Sequence, residues 1–275
     1  MLTARLPTIL RSLLFQIAFY VATTLYLLVL LPALPFISRR ALWRAGVLSW
    51  VRTNNWLLRV IAGVRVEFRG VENIPPGPLL IAAKHQSAWE TFALLPLFSD
   101  PAFILKKELM RIPVFGWFAA KARMIPIDRR AGASALKDMT RRAVADLAEG
   151  RQILIFPEGT RRAPGAPPAY KFGVAHLYSS LKAPCLPVAL NSGLYWSRRA
   201  TLLQPGTIRV EILPPIPPGL GRAAFLARLE RDIETASDRL LEEGLDELGE
   251  RAPRHLAERR ARADSSPLST PVENS

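Results

Sequence analysis

One long uncharged stretch dominates the hydrophobic pattern near the start of the chain. No charged residue occurs in Ser12–Ser38, and Leu13–Leu31 is apolar except for Gln16, Thr23 and Thr24. A helix of this length can cross the hydrocarbon core of a bilayer. The stretch is too long for the hydrophobic part of an ordinary signal peptide, and a soluble core helix would show a polar face. The pattern therefore predicts a membrane-anchoring helix.

A second helical pattern runs from Arg40 to about Ala62, beyond the breaks at Pro32 and Pro35. At about 100° per residue its arginines fall within one arc of about 120°, and its tryptophans lie elsewhere on the helix. This arrangement is typical of a helix in the headgroup layer. We expect residues 1–62 to anchor the chain, with the first helix crossing the bilayer or both helices forming a hairpin in one leaflet. The residues concerned are Arg40, Arg44, Arg52 and Arg59, with Trp43, Trp50 and Trp56.

After this region, short apolar runs alternate with helical patterns. The predicted strands are Val64–Phe68, Leu79–Ala83, Phe103–Leu105, Met124–Ile127, Ile153–Phe156, Leu186–Leu190 and Ile208–Leu213. The predicted helices are Ser87–Phe98, Val114–Ala122, Ala133–Glu149, Phe172–Leu181 and Ala223–Leu248. Continuous apolar strands between helices predict an α/β fold with a largely parallel sheet flanked by helices, over residues 63–250. Residues 251–275 are polar without periodicity, which predicts a disordered tail.

The formal net charge of +14 is unevenly distributed along the chain. The first 66 residues hold eight arginines and no Asp or Glu. A basic block of this kind indicates either nucleic acid or an anionic membrane surface as the partner. The adjacent uncharged stretch favours the membrane, so we expect membrane lipids and no nucleic acid. Basic residues after that stretch outnumber those before it, so we expect the domain that follows the anchor to lie on the cytoplasmic side.

Polar residues that follow predicted strands are candidates for chemistry, because α/β sheets bind ligands beyond the carboxyl ends of their strands. His85 follows Leu79–Ala83 and precedes Glu90 by five residues. A histidine can act as a base, and a carboxylate can fix its tautomer and stabilise the imidazolium. The segment Ser87–Glu90 is also a Ser-x-x-Glu capping box, so Glu90 could instead begin the next helix. The two interpretations can hold together.

Basic residues follow three other predicted strands. Phe156–Arg162 contains Gly159, which permits close backbone approach, and arginines, which bind phosphate through two hydrogen bonds. Arg129 follows the strand Met124–Ile127, and Lys106 follows Phe103–Leu105. Each residue alone could be ordinary solvated surface charge. Together they predict a positive rim that suits a phosphorylated substrate.

Four blocks, in this order, resemble the four motifs of the glycerolipid acyltransferases: His85–Glu90, Arg123–Arg129, Phe156–Arg161 and Leu186–Leu190. The chain is similar to the 1-acyl-sn-glycerol-3-phosphate (lysophosphatidic acid) acyltransferases over roughly Val64–Leu213. The resemblance implies transfer of a fatty acyl chain from acyl-CoA or acyl carrier protein to the sn-2 hydroxyl of lysophosphatidic acid. The product would be phosphatidic acid, a precursor in phospholipid biosynthesis.

The resemblance also implies roles for individual residues. His85 matches the catalytic base, and Glu90 stands where the family usually has Asp, a longer acid that we judge compatible with activity. Pro187 lies in the block linked to the acyl donor. No cluster has metal-ligand spacing, so we expect no metal and no cofactor besides the acyl donor as co-substrate. The positions associated with the glycerol phosphate are Arg129, Glu158, Gly159, Thr160 and Arg161.

The expected partners are lysophosphatidic acid, the acyl donor and membrane lipids. Acyl carrier protein is a partner if it is the carrier of the donated acyl chain. The expected location is the bacterial inner membrane. One alternative is an enzyme of the same fold that acts on another lysolipid, such as an acylated amino-acid lipid. A remoter alternative is a non-catalytic basic protein that binds membranes or nucleic acid, which the clustered acid and base residues disfavour.

Overall fold

The computed structural model describes residues 2–198 and 202–265, and a seven-stranded sheet lies at their centre. The strands are β1 (Val64–Arg69), β2 (Leu80–Ala83), β3 (Pro101–Lys106), β4 (Ile125–Ile127), β5 (Gln152–Ile155), β6 (Cys185–Leu190) and β7 (Gly206–Ile212). The helices are α1 (Leu2–Leu30), α2 (Arg39–Ala41), α3 (Leu48–Leu57), α4 (Glu90–Ala93), α5 (Phe115–Lys121), α6 (Gly132–Ala148), α7 (Phe172–Leu181), α8 (Ser192–Tyr195), α9 (Arg222–Leu248) and α10 (Arg254–Ser265).

The strand order is β1-β7-β6-β2-β5-β3-β4, and every neighbouring pair is parallel except β6 and β7. The prediction of a largely parallel sheet flanked by helices is confirmed. Because β6, β2, β5, β3 and β4 run in one direction, their carboxyl ends meet at one edge. The carboxyl end of β1 lies at the opposite edge, since β1 is parallel to β7.

The central strands are apolar throughout because both faces of the sheet are covered. In β2, Leu80 and Ala82 pack against α7 and the first half of α9, whereas Ile81 and Ala83 pack with the opposite layer. That opposite layer contains α3 and α4. Strand side chains alternate between faces, so a strand buried on both faces needs apolar residues at every position. This requirement explains why the continuous apolar runs predicted the strands.

The helix predicted over Ser87–Phe98 is shorter in the structure. Here α4 has a single turn, and the 3₁₀ turn Leu95–Leu97 follows it. Pro96 has no N–H to continue an α-helix, so the chain leaves helical geometry near that residue. The residues before α4 form a loop, which leaves their backbone N–H groups available for side-chain partners.

Helix α1 has a buried inner face and an exposed apolar outer face. Its segment Pro7–Leu30 has a mean hydropathy of 2.1 in its most apolar window, of which 6% is buried. On the inner face Phe15 is fully buried, and Thr23 Oγ1 accepts a hydrogen bond of 3.0 Å from the Trp50 indole. Side chains such as Val29 point outwards with 74% exposure. The helix therefore has the length, composition and unpaired apolar surface that a bilayer would cover.

The second helical segment is less regular than the single helix predicted from Arg40 to Ala62. Two π-helical stretches, Leu42–Val47 and Leu58–Ala62, flank α3. The tryptophans lie away from the arginines in different settings: Trp43 is 7% exposed and Trp56 is 61% exposed. The four arginines remain exposed, as the pattern predicts: Arg40, Arg44, Arg52 and Arg59.

The tail differs from the predicted disorder over residues 251–275. A 3₁₀ turn, Gly249–Arg251, leads into α10, and Leu256 is 5% exposed within the main hydrophobic cluster. Arg260 forms ion pairs of 3.0 and 2.6 Å with Glu242 and Asp246 of α9. Helix α10 is held mainly by one leucine and by ion pairs. Its apolar pattern is therefore too short to predict a helix from the sequence. Residues 266–275 lie outside the described residues.

The outer face of α1 generates a first prediction. Full-length protein should remain with sedimented membranes at about 1 M salt, where screening reduces the Debye length to about 3 Å but leaves apolar burial intact. Detergent should release it. Sedimentation and immunoblotting measure the bound fraction, and complete release by salt alone would show that arginines, not α1, hold the protein.

Candidate functional site

The carboxyl ends of β2 and β5 bring together two segments that lie far apart in sequence. His85 follows β2, and its ring stacks on Phe156 after β5, with centroids 4.0 Å apart and planes at 16°. The His85 carbonyl also accepts a 2.8 Å hydrogen bond from the Arg162 N–H. Because β2 and β5 are adjacent and parallel, the histidine and the Gly159 turn share one edge of the sheet.

His85 and Glu90 form the predicted pair. The distance from His85 Nδ1 to Glu90 Oε1 is 2.9 Å, and the side chains are 14% and 0% exposed. A carboxylate accepts hydrogen bonds, so this contact places the proton on Nδ1 and leaves the lone pair on Nε2. The longer acid reaches the ring, which shows that the extra methylene is compatible with the contact.

Glu90 also holds the loop that precedes α4. Its Oε1 accepts hydrogen bonds of 2.6 Å from the N–H groups of Gln86 and Ser87, while Ser87 Oγ accepts one of 3.1 Å from the Trp89 N–H. The contact of Glu90 with the Ser87 N–H is one half of a capping box, whereas the Ser87 hydroxyl accepts from Trp89 and not from the Glu90 N–H that a full capping box would use. Both interpretations of the segment therefore hold: the same carboxylate oxygen fixes the loop backbone and contacts the imidazole.

Ser192, in α8 just after β6, is a site residue that the sequence analysis did not identify. Its hydroxyl donates a 2.8 Å hydrogen bond to Glu90 Oε2, the oxygen turned away from His85. The neighbouring Gly193 N–H donates a 3.0 Å bond to Gln86 Oε1. The predicted strand Leu186–Leu190 ends at the same sheet edge, so inspection of the polar residues after it would have found Ser192.

The turn after β5 is held from inside the protein by Glu158. This carboxylate is 1% exposed and lies 3.3 Å from Lys84 Nζ, and its Oε1 accepts a 3.3 Å bond from the Ala169 N–H. Burial raises the pKa of Glu158, and the Lys84 ammonium opposes that rise. In the structure Glu158 faces Lys84 and fixes the turn, and its association with the glycerol phosphate stays a prediction.

Other members of the turn face a large cavity. Gly159 has φ of +68°, a backbone conformation that suits glycine, and its N–H bonds to the Phe156 carbonyl at 2.9 Å. Thr160 and Arg161 line the cavity beside it. Gly159, Thr160 and Arg161 thus line one space, and their contact with a phosphate stays a prediction.

The remaining predicted residues have different positions. Arg129 begins a 3₁₀ turn directly after β4, and its side chain lies outside the described part of the protein. Pro187 is buried within β6, where its carbonyl accepts a 3.0 Å hydrogen bond from the Leu213 N–H. It lies within the sheet and is not one of the residues that line the cavity, so its link to the acyl donor stays a prediction.

The cavity has a volume of about 790 Å³ and two chemically distinct parts. At the sheet edge it is lined by His85 and by basic residues on three segments. Elsewhere its walls come from α1, the second helical segment, β3, α5 and α6, and they are mostly apolar. Such a space suits an amphipathic molecule with an anionic head near the base. The basic lining residues are Lys106, Arg161, Lys171 and Arg198.

The chain is similar to known proteins in sequence and in fold. The acyltransferase family profile matches residues 65–191. The chain is 44% identical to the 1-acyl-sn-glycerol-3-phosphate acyltransferase of Pseudomonas aeruginosa over 183 residues, covering 66% of this chain and 70% of that protein. It is 28% identical to the mouse 1-acyl-sn-glycerol-3-phosphate acyltransferase alpha, covering 74% and 71%. The fold is similar to the crystal structure of the 1-acyl-sn-glycerophosphate (LPA) acyltransferase from Thermotoga maritima, with a TM-score of 0.68, 22% identity, and coverage of 84% and 97%.

The Ser192 contact generates the second prediction. Ser192→Ala should lower kcat about tenfold or more with little change in acceptor KM, because a hydrogen bond to a charged group is worth about 1.5–3 kcal/mol. Steady-state kinetics measure this. The matched control is Ser179→Ala, because the Ser179 hydroxyl donates to the Ala175 carbonyl within α7. Unchanged turnover in a folded Ser192→Ala enzyme would show that Glu90 works without this support.

Proposed function

The chain belongs to the 1-acyl-sn-glycerol-3-phosphate acyltransferase family, and from this premise we propose that it acylates the sn-2 hydroxyl of lysophosphatidic acid to give phosphatidic acid. The observation that carries the proposal is the His85–Glu90 pair at the basic end of a mostly apolar cavity. This acyl transfer requires a base, a phosphate site and space for an acyl chain.

In the proposed reaction His85 acts as a general base. Its Nε2 takes the proton from the sn-2 hydroxyl while that oxygen attacks the thioester carbonyl carbon. The resulting tetrahedral intermediate collapses, the C–S bond breaks, and the imidazolium returns the proton to the departing thiolate. Glu90, 2.9 Å from Nδ1, stabilises the imidazolium between the two proton transfers. The imidazole and the thiol leaving group need neither metal nor resident cofactor.

The basic residues at the cavity's polar end would hold the acceptor phosphate. Arg161 and Lys171 belong to the segment after β5, and Arg198 follows α8. The Arg198 guanidinium also donates a 3.2 Å hydrogen bond to the Arg161 carbonyl, so these two residues are linked. Phosphate bound here would place the glycerol hydroxyl near His85, and holding both reactants in register lowers the entropic barrier.

The apolar walls would receive the acyl chains. Leu27 of α1, Trp43 of the second helical segment and Phe118 of α5 all line the cavity. An aliphatic chain between such side chains gains about 0.8 kcal/mol per buried CH₂. The donor would be acyl-CoA or acyl carrier protein, whose thioesters offer the same reacting carbon.

Membrane association follows from α1, and we place the protein in a bacterial inner membrane with the catalytic domain on the cytoplasmic side. The excess of arginines after the apolar stretch supports this orientation. Cytoplasmic acyl donors would then reach the site directly, while the acceptor and product remain in the bilayer.

The function is tested by incubating the purified protein in vesicles with lysophosphatidic acid and a radiolabelled acyl donor. Phosphatidic acid should form, and acceptors without a phosphate should react much more slowly. His85→Ala is the inactive control. Efficient acylation of an acylated amino-acid lipid, with none of lysophosphatidic acid, would reassign the acceptor.

The double role of Glu90 generates the third prediction. Glu90→Gln should lower kcat by roughly 10²–10⁴-fold at a nearly unchanged melting temperature. Its amide oxygen can still accept the Gln86 and Ser87 N–H bonds, so the cap survives while the charge is lost. Glu90→Asp, which keeps the charge, should retain more activity. Kinetics and thermal unfolding measure both effects, and a fully active Glu90→Gln enzyme would reduce Glu90 to a cap.

The fourth prediction concerns Arg161. Arg161→Ala should raise acceptor KM about ten- to hundredfold with a smaller change in kcat, because a charge-assisted phosphate contact is worth about 1.5–3 kcal/mol. Arg141→Ala is the control, since Arg141 lies on the exposed surface of α6. If acceptor KM were the same in Arg161→Ala and the control, Arg161 would not bind the phosphate.

A further inference from the structure

Residues 107–121 carry an exposed apolar surface on the catalytic domain, separate from α1. The 3₁₀ turn Lys107–Arg111 and α5 form this segment. Ile112 is 47% exposed, Phe115 41% and Trp117 57%. Single exposed apolar side chains are ordinary, but a group of large ones within a few residues marks a surface that has a partner.

The segment is built rigidly. A Cβ added to Gly116 would lie 2.1 Å from the Met110 carbonyl oxygen, so α5 and the preceding turn pack backbone against backbone. Val114 has φ of +64°, and the Phe115 N–H bonds to the Pro113 carbonyl at 2.7 Å. A β-branched residue at positive φ is strained, and the surrounding structure must hold it there. The apolar side chains are therefore displayed by a fixed turn.

The charge of the segment matches an anionic lipid surface. Between residues 106 and 121 there are four basic residues and one acidic residue, Glu108. A tryptophan and neighbouring apolar side chains within a basic surface are typical of an element that lies at the headgroup layer. The basic residues are Lys106, Lys107, Arg111 and Lys121.

The segment is continuous with the surface of the membrane anchor. Lys121 Nζ donates a 3.3 Å hydrogen bond to the carbonyl of Pro35, in the loop that follows α1. The next residue, Phe36, is 90% exposed. The loop that follows α1 and the end of α5 therefore lie side by side, so the exposed Phe36 is on a segment next to residues 107–121.

The cavity opens along the same boundary. Leu109 and Phe115 are 37% and 41% exposed and also line the cavity, which places them at its rim. Leu27 and Leu30 of α1 line it as well. The rim thus lies between the anchor and residues 107–121.

We propose that residues 107–121 form a second membrane-docking element, which inserts Ile112, Phe115 and Trp117 into an anionic phospholipid bilayer beside α1. Docking places the cavity rim against the lipid surface. One consequence rests on the acyl-transfer function proposed above: the acceptor and the product pass between bilayer and cavity without crossing water. The docking surface itself does not depend on that function.

The test uses the full chain with Ile112→Cys, labelled with a polarity-sensitive fluorophore. The native Cys185 is fully buried, and burial raises the pKa of its thiol, so the introduced thiol reacts selectively. Val71→Cys is the matched control: Val71 is 43% exposed and follows β1 at the opposite edge of the sheet. Both proteins are bound to vesicles of neutral and anionic phospholipids, some of which carry a nitroxide quencher.

The label at position 112 should shift to shorter wavelength and be quenched by the lipid-borne nitroxide, whereas the label at position 71 should do neither. Adding Arg111→Glu should weaken the apparent docking equilibrium about five- to thirtyfold, because each basic residue near an anionic surface contributes to binding. A label at position 112 that stays water-exposed on vesicle-bound protein would overturn the proposal. A shift without nitroxide quenching would also overturn it, since protein would then cover the surface. Neither readout requires acyl transfer. A negative result would therefore overturn the docking proposal without bearing on the activity assay.

Discussion

The buried carboxylate of Glu90 is the constraint on which the site depends. It has no exposed surface, and each unsatisfied oxygen would cost about 1–3 kcal/mol or more. Its partners come from two strand ends: His85, Gln86 and Ser87 follow β2, while Ser192 follows β6. Only adjacent, parallel strands bring both ends together. The sheet order β6-β2-β5 therefore fixes the carboxylate, and the carboxylate fixes the loop that aims the imidazole.

A second buried charge organises the other side of the loop. Lys84, next to the histidine, is 3% exposed and contacts Glu158 at 3.3 Å and Glu234 of α9 at 2.6 Å. Tyr170 donates a 2.8 Å bond to the same Glu234 oxygen. Removing Lys84 would leave the Glu158 carboxylate buried without its counter-ion, which costs more than the pair contributes. The loop after β2, the turn after β5 and α9 are thus held as one unit around the cavity's polar end.

The sequence predicted those elements in which the burial of each residue is visible in its own polarity. Strands buried on both faces must be apolar throughout, so β2 and β6 were evident, and local contacts such as His85 with Glu90 follow from short spacing. It could not predict the direction of a side chain whose partner is distant. Glu158 turns towards Lys84, and Ser192 meets a residue 102 positions away. Local spacing likewise assumes regular helices, so it did not reveal the π-helical stretches Leu42–Val47 and Leu58–Ala62.

The boundary predicted near residue 62 separates two regions that differ in amino-acid composition. In the structure these two regions share one hydrophobic core. Phe15 of α1 packs edge-on against Trp196 at 5.4 Å, and Val51 and Leu58 lie in the same cluster as Leu190 of β6. Arg39 pairs with Asp100 before β3, and Arg151 contacts that carboxylate at 3.4 Å. The anchor also supplies part of the cavity wall. Its helices therefore do more than hold the enzyme at a membrane: without them the apolar part of the cavity would open to water, and the space proposed for the acyl chain would lose one side.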